Sequence, residues 1–240
     1  MRKINLEKMA KISNVDIWLK VAPPKGGEAQ WKDGRSAKEL ARFVIEHPED
    51  FSNLLEEVVK SSVGYVPSSF TGEPEAVTRL PHSSSGPRNH DLLLFDKRIV
   101  IGIEAKVDEP FGNSILQESN TSSTDKKDRI DWLIETILPE GRGLDDREVG
   151  NLKYQLFTAT AGTLLEAAKR GKKKCIFLIL VFHSKNKPVK ETNKKSFDDF
   201  VRIVCGENKN SKEFQVNDNP ITCWFIEKDI EITPQAYKID

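Results

Sequence analysis

Asp91 to Phe95 and Ile99 to Val107 are two apolar runs separated only by Asp96-Lys97-Arg98. A break this short suits a hairpin, so the chain is predicted to hold an antiparallel strand pair here. Further on, Cys175 to Phe182 is apolar at every position, the pattern of a strand covered on both faces. Strands buried in this way need helices as layers, and the sequence supplies them. Ser36-Ala37-Lys38-Glu39 has the form of a capping box and opens a helix through Leu40, Phe43 and Val44 that ends near Pro48. A second helix is predicted over 49–61, with Phe51, Leu54, Leu55, Val58 and Val59 at helical spacing and a stop at Gly64. Residues 67–72 read as loop and 76–80 as the first strand. The polar stretch 112–127 reads as a mobile loop, 131–138 as a short helix, and 151–170 as a helix rich in small residues. A helix near 197–205 and a strand near 222–226 follow. This order implies an α/β class with a mixed central sheet in one domain. Its parts are a helical region over about 1–66, a core over about 36–182 and an α/β extension over 183–240.

Composition narrows the function classes. Lys and Arg number 37 and Asp and Glu 37, so the net charge is zero, which argues against coating nucleic acid by bulk charge. The charge is uneven along the chain. Residues 169–195 hold ten basic side chains against Glu191 alone, whereas 128–148 hold seven acids and three bases. Such asymmetry can steer a polyanion to one face. No apolar run approaches the ~20 residues of a membrane-spanning helix, and no signal peptide is predicted at the start. Cys175, Cys205 and Cys223 are odd in number and lack partner histidines. They read as reduced, packed thiols of a cytoplasmic protein.

Chemistry concentrates on the hairpin. Alternation along a strand puts Ile99, Ile101, Ile103, Ala105 and Val107 on one face, and Val100, Gly102, Glu104 and Lys106 on the other. Asp91 opens the neighbouring strand, so pairing brings its carboxylate near that of Glu104. Two carboxylates at the rim of a core repel each other unless a cation joins them. Hard oxygen ligands favour Mg²⁺ or Mn²⁺.

Asp91, twelve intervening residues, then Glu104-Ala105-Lys106 resembles the PD-(D/E)XK nuclease superfamily, which includes restriction and repair endonucleases. The resemblance implies a restriction-endonuclease-like α-β-β-β-α-β core, matched in order over about 36–182. It implies Asp91 and Glu104 as metal ligands, the Ala105 carbonyl as a further ligand, and Lys106 as the residue that orients or activates the attacking water. His90 stands where the name-giving proline would be. Gln155, on the helix after the sheet, is similar to a glutamine that faces the active site in several branches, although Ala159 replaces the tyrosine of one of them. Gln155, Ala159, Gly162 and Glu166 share one helical stripe. Many members add an upstream glutamate, and Glu39, Glu56, Glu57, Glu73 and Glu75 are all candidates, with Glu39 favoured for the capping box instead.

The expected function is Mg²⁺-dependent hydrolysis of DNA phosphodiesters. The basic segment 169–195 would contact phosphates, and a homodimer would suit double-strand cleavage. Asp108 and Glu109 could extend the acidic site, and His82, His90 or Arg88 could touch the phosphate. Trp31, with Lys32 and Arg35, could stack on substrate, although for each of these a structural role is the simpler expectation. The rivals are an inactive nuclease-fold binding module and an enzyme acting on a small phosphorylated molecule.

Overall fold

A computed structural model describes residues 5–6, 12–82, 86–107, 109–184, 191–232 and 237–239. Helices α1 (Val15–Val21), α2 (Ser36–Glu46) and α3 (Pro48–Val63) precede strands β2 (Ser69–Thr78), β3 (Arg88–Phe95) and β4 (Val100–Lys106). A short strand, β1 (Asn5–Leu6), lies before α1. After β4 come α4 (Ile115–Ser119), α5 (Thr124–Ile137), α6 (Arg147–Asn151) and α7 (Tyr154–Lys169), then β5 (Lys174–Ser184). The chain continues through α8 (Glu191–Cys205), β6 (Ser211–Val216), β7 (Asn219–Ile232) and β8 (Tyr237–Ile239). One mixed sheet runs in the order β1-β2-β3-β4-β5-β7-β6, with β8 added to β7. Strands β2–β3 and β3–β4 are antiparallel, while β4–β5 and β5–β7 are parallel. The protein is therefore mixed α/β, and the order α-β-β-β-α-β is present with α4, α5 and α6 inserted before α7.

Two apolar layers follow from the alternation along β4. Ile101, Ile103, Ala105 and Val107 pack with Phe43, Leu54 and Leu55 of α2 and α3. Val100 joins Leu156, Phe157 and Leu164 of α7 and Phe200 of α8 on the other face. At about 25 cal/mol per Å² of apolar surface removed from water, these two layers are the main favourable contribution to folding. Each strand of the predicted hairpin and of the buried β5 lies where the apolar pattern put it. Helix α3 starts with Pro48 at its first position and stops at Gly64, whose φ of 76° is open to a residue without Cβ.

Several boundaries differ from the sequence reading. Residues 69–72 are strand rather than loop, because Phe70 is buried on the sheet while Gly72 and Pro74 disguise the alternation. Ser36 does not form a capping box. It is the first helical residue, and buried Glu39 instead accepts the Gly34 N–H at 2.8 Å. The capping box sits at Ser114 and Gln117, inside the stretch expected to be a mobile loop, and starts α4. Ser123 caps α5, which therefore begins at Thr124 rather than 131. The long helix begins at Tyr154, after the separate turn of α6. Strands β6 and β8 were not foreseen, and β7 is much longer than 222–226.

Helix α7 lies close on the sheet because of two glycines, Gly102 on β4 and Gly162 on α7 itself. A Cβ on Gly102 would fall 2.1 Å from Thr163 Oγ1, and one on Gly162 would fall 2.9 Å from His90 Nε2. Gly102→Ala should destabilise the fold by about 1–3 kcal/mol through overpacking. Urea denaturation checks this, and Thr163→Ala should restore part of the loss in the double variant.

Candidate functional site

Strand β4 ends in a charged pair that its apolar neighbours would otherwise exclude. Glu104 is 3% exposed and Lys106 5%. Both project toward α7, as the alternation required. Burying charge this deeply is tolerated only with partners, and Glu104 has three. Lys106 Nζ lies 3.1 Å from its Oε1, Gln155 Nε2 donates to the same oxygen at 2.5 Å, and the Arg88 guanidinium donates to Oε2. Gln155 reaches it because α7 begins at the end of the sheet where β4 finishes. Burial pushes the Glu104 carboxyl up, but Arg88 and Lys106 outweigh this and hold it below its ordinary value.

Asp91 takes a different place. Pairing of β3 with β4 stops at Leu92↔Ile103, and beyond it Asp91 Oδ2 accepts the Ala105 N–H at 2.7 Å. The N–H and C=O of one strand residue leave on the same side, so the Ala105 carbonyl is turned toward the same edge. The side-chain alternation slips at this point. Leu93 packs on the α7 layer and Leu92 and Leu94 on the α2–α3 layer, yet His90, two residues before Leu92, lies against Gly102 and Gly162 on the α7 side. Across from it, Glu75 has a φ of 49°, a left-handed conformation that is strained in a residue with a Cβ.

Asp91, Glu104, Lys106, Gln155, Glu75 and Glu109 all line one cavity of about 290 Å³. Lys25, Arg35 and the first turn of α2 also line it and add positive charge. Burial, then Asp91 and Glu104, push Glu75 up to about 8. Burial and Glu104 likewise push Asp91 up to about 7. Glu109 Oε2 is buried without a hydrogen-bond partner, while its carbonyl accepts from Asn193 Nδ2 at 2.9 Å. Among the described residues, no three acidic, His or Cys side chains are already gathered as a ligand set. The chemistry of this rim nevertheless fits a hard divalent cation, because Glu75, Asp91 and Glu104 line one cavity and their charges disfavour joint ionisation.

Of the upstream glutamates, Glu75 reaches the cavity. Glu73 is paired with Arg170 at 3.2 Å, Glu57 with Lys228 at 2.7 Å, and Glu39 with the Gly34 N–H. The Glu75 signal was its place on β2 opposite Asp91, legible only once the strand is known to begin at Ser69. Asp108 lies outside the described residues. Arg88 is on Glu104 rather than free for a phosphate. His90 is structural: its Nε2 lies 3.1 Å from Thr78 Oγ1, which donates to Glu166 at 2.9 Å, and burial and Arg88 drive its pKa down to about 3. His82 lies away from the cavity, 4.0 Å from Asp128, and Trp31 packs against the α2–α3 layer.

The basic segment 169–195 is not one surface. Lys169 to Lys174 lie at the start of β5 and Lys194 and Lys195 on α8 beyond its end, with 185–190 outside the described residues. Glu104 stands abreast of Ile179, so Lys174 is about 17 Å away at ~3.3 Å per strand residue. In the acidic segment 128–148, Arg129 is buried and clamps the preceding loop through the carbonyls of Pro81, His82 and Gly86.

In metal-free protein, stability should fall as pH rises from 6.5 to 8. Asp91, Glu75 and Glu227, itself raised to about 7 by burial, keep protons in the folded state that the unfolded chain has already lost, so the folded state binds more protons and loses them across this window. His90 opposes the trend only below about 6.5, where the unfolded imidazole gains a proton. Urea midpoints in EDTA at each pH check this, and Asp91→Asn or Glu75→Gln should flatten the slope.

A family model described as a domain of unknown function (DUF6946) matches residues 11–229. No curated protein and no solved structure matches. With nearly its whole length matched, the chain belongs to the DUF6946 family.

Proposed function

We propose that the protein is a metal-dependent nuclease of the PD-(D/E)XK kind that hydrolyses DNA phosphodiester bonds. The observation that carries this reading is the meeting of Asp91, Glu104, Lys106 and Gln155 in one cavity at the end of β4. Asp91, Glu104 and the Ala105 carbonyl would hold Mg²⁺ or Mn²⁺, with Glu75 and Glu109 as further carboxylates lining the cavity. When bound, the cation supplies charge stabilisation and a more acidic water. Lys106 then orients the attacking water and offers its proton-transfer capacity beside the phosphate. Gln155 fixes the Glu104 carboxylate so that it faces the cavity, and Lys25 and Arg35 favour an anionic substrate on the opposite wall.

A second reading, a nuclease-like fold serving only as a binding module, draws on the Arg88 guanidinium that already pairs with Glu104. Binding of Mn²⁺ separates the two. A homodimer fits double-strand cleavage, and a cytoplasmic setting fits the free thiols of Cys175, Cys205 and Cys223. No helix among the described residues is long and apolar enough to cross a membrane.

Plasmid and linear DNA incubated with Mg²⁺ or Mn²⁺ should be cut by the wild type. Glu104→Ala and Lys106→Ala should each lower the rate by about 10²-fold or more, the scale of a lost acid–base or electrostatic group, and the rate should fall as salt rises. Equal cleavage by all three proteins would sink the reading. Calorimetry should give heat of Mn²⁺ binding that Asp91→Asn removes, and the absence of any heat would favour the binding module.

A further inference from the structure

A hollow roomier than the carboxylate cavity lies elsewhere on the sheet. At the opposite end of the sheet, the β3–β4 turn, the chain leading into β2 and the turn after α7 enclose a cleft of about 720 Å³, against about 290 Å³ for the candidate site. Its walls carry Lys97, Arg98, Arg170 and Lys172 and a single acid, Asp96.

Asp96 is already committed. Its Oδ1 accepts the N–H of Arg98 at 2.7 Å and of Ile99 at 2.8 Å, and the Tyr65 hydroxyl lies 3.1 Å from both oxygens. Arg170 is committed too, to Glu73 and Glu166, with its guanidinium 4.2 Å from the centre of the Phe95 ring. The other three cations have no acidic partner at ion-pair distance among the described residues, yet two are held in place. Arg98 lies 4.8 Å over the Tyr65 ring, and Lys172 Nζ donates to the Lys97 carbonyl at 3.1 Å. That last bond ties the two basic turns together, and Lys97, Arg98 and Lys172 line the same cleft.

We propose that this cleft binds a small phosphate-bearing ligand of nucleotide size. Its volume lies in the range of small-molecule pockets. Tyr65, Val66, Pro67 and Phe95 give it apolar and aromatic walls, and Arg98 offers a planar fork suited to phosphate oxygens. A nucleic-acid track would need cations strung along a backbone. Here they line one cleft, at the far end of the strands from Asp91 and Glu104. The site is independent of the proposed hydrolysis, and its test involves no cleavage.

Calorimetric titration of the full chain in EDTA at low salt, with inorganic pyrophosphate and with ATP, tests the proposal. Wild type and Lys106→Ala should bind alike, more weakly as salt rises. The pair Lys97→Glu with Arg98→Glu should weaken binding by at least about tenfold, equivalent to ~1.4 kcal/mol. Arg98→Gln, a milder change, should show an intermediate loss, with thermal melts confirming that each variant is folded. No binding by the wild type would overturn the proposal, as would equal binding by the charge variants, or a loss confined to Lys106→Ala. Binding of a duplex oligonucleotide without binding of pyrophosphate or ATP would overturn it as well.

Discussion

The close approach of α7 to the sheet is the constraint on which the rest depends. Gly102 on β4 and Gly162 on α7 leave room for Thr163 and for the His90 ring between helix and strands. With that spacing set, Gln155 at the start of α7 reaches Glu104, and Glu166 further along reaches Thr78 and Arg170. The polar line from His90 through Thr78 to Glu166 is buried, within a low-dielectric layer. A larger residue at either glycine would push the helix outward and lengthen each of these contacts together.

The carboxylates divide into two kinds by their company. Arg88 and Lys106 hold the Glu104 carboxyl below its ordinary value, whereas burial and neighbouring carboxylate charge push Asp91 and Glu75 up. This contrast is set by strand pairing. The antiparallel ladder ends at Leu92, so Asp91 fills the vacant backbone position with its own side chain.

Much of this was legible in the amino-acid order. The hairpin, the double-sided strand β5 and the facing of Glu104 and Lys106 follow from periodicity, because one-residue errors there would expose a full apolar face. Asp91, Glu104 and Lys106 line one cavity at the hairpin end, with Gln155, expected there only from the family resemblance. What was not legible depends on tertiary choice. Ser36-Ala37-Lys38-Glu39 and Ser114-Ile115-Leu116-Gln117 both satisfy the capping pattern, and only the second forms it, since Glu39 turns to Gly34 instead. The alternation of β3 fails at Asp91 because of a backbone slip that no residue type announces. The basic segment, continuous in sequence, is divided by a strand that spans the sheet.

Glu75 has a backbone conformation that glycine would adopt freely. Strain of this sort costs about 1–3 kcal/mol, and replacing the residue by glycine would release it while deleting a carboxylate from the cavity. Position 75 is thus where the chain's preference for stability and its placement of acid at the rim point in opposite directions. A variant selected for heat resistance alone would be drawn to change this position, and it would emerge sturdier with one carboxylate fewer beside Asp91.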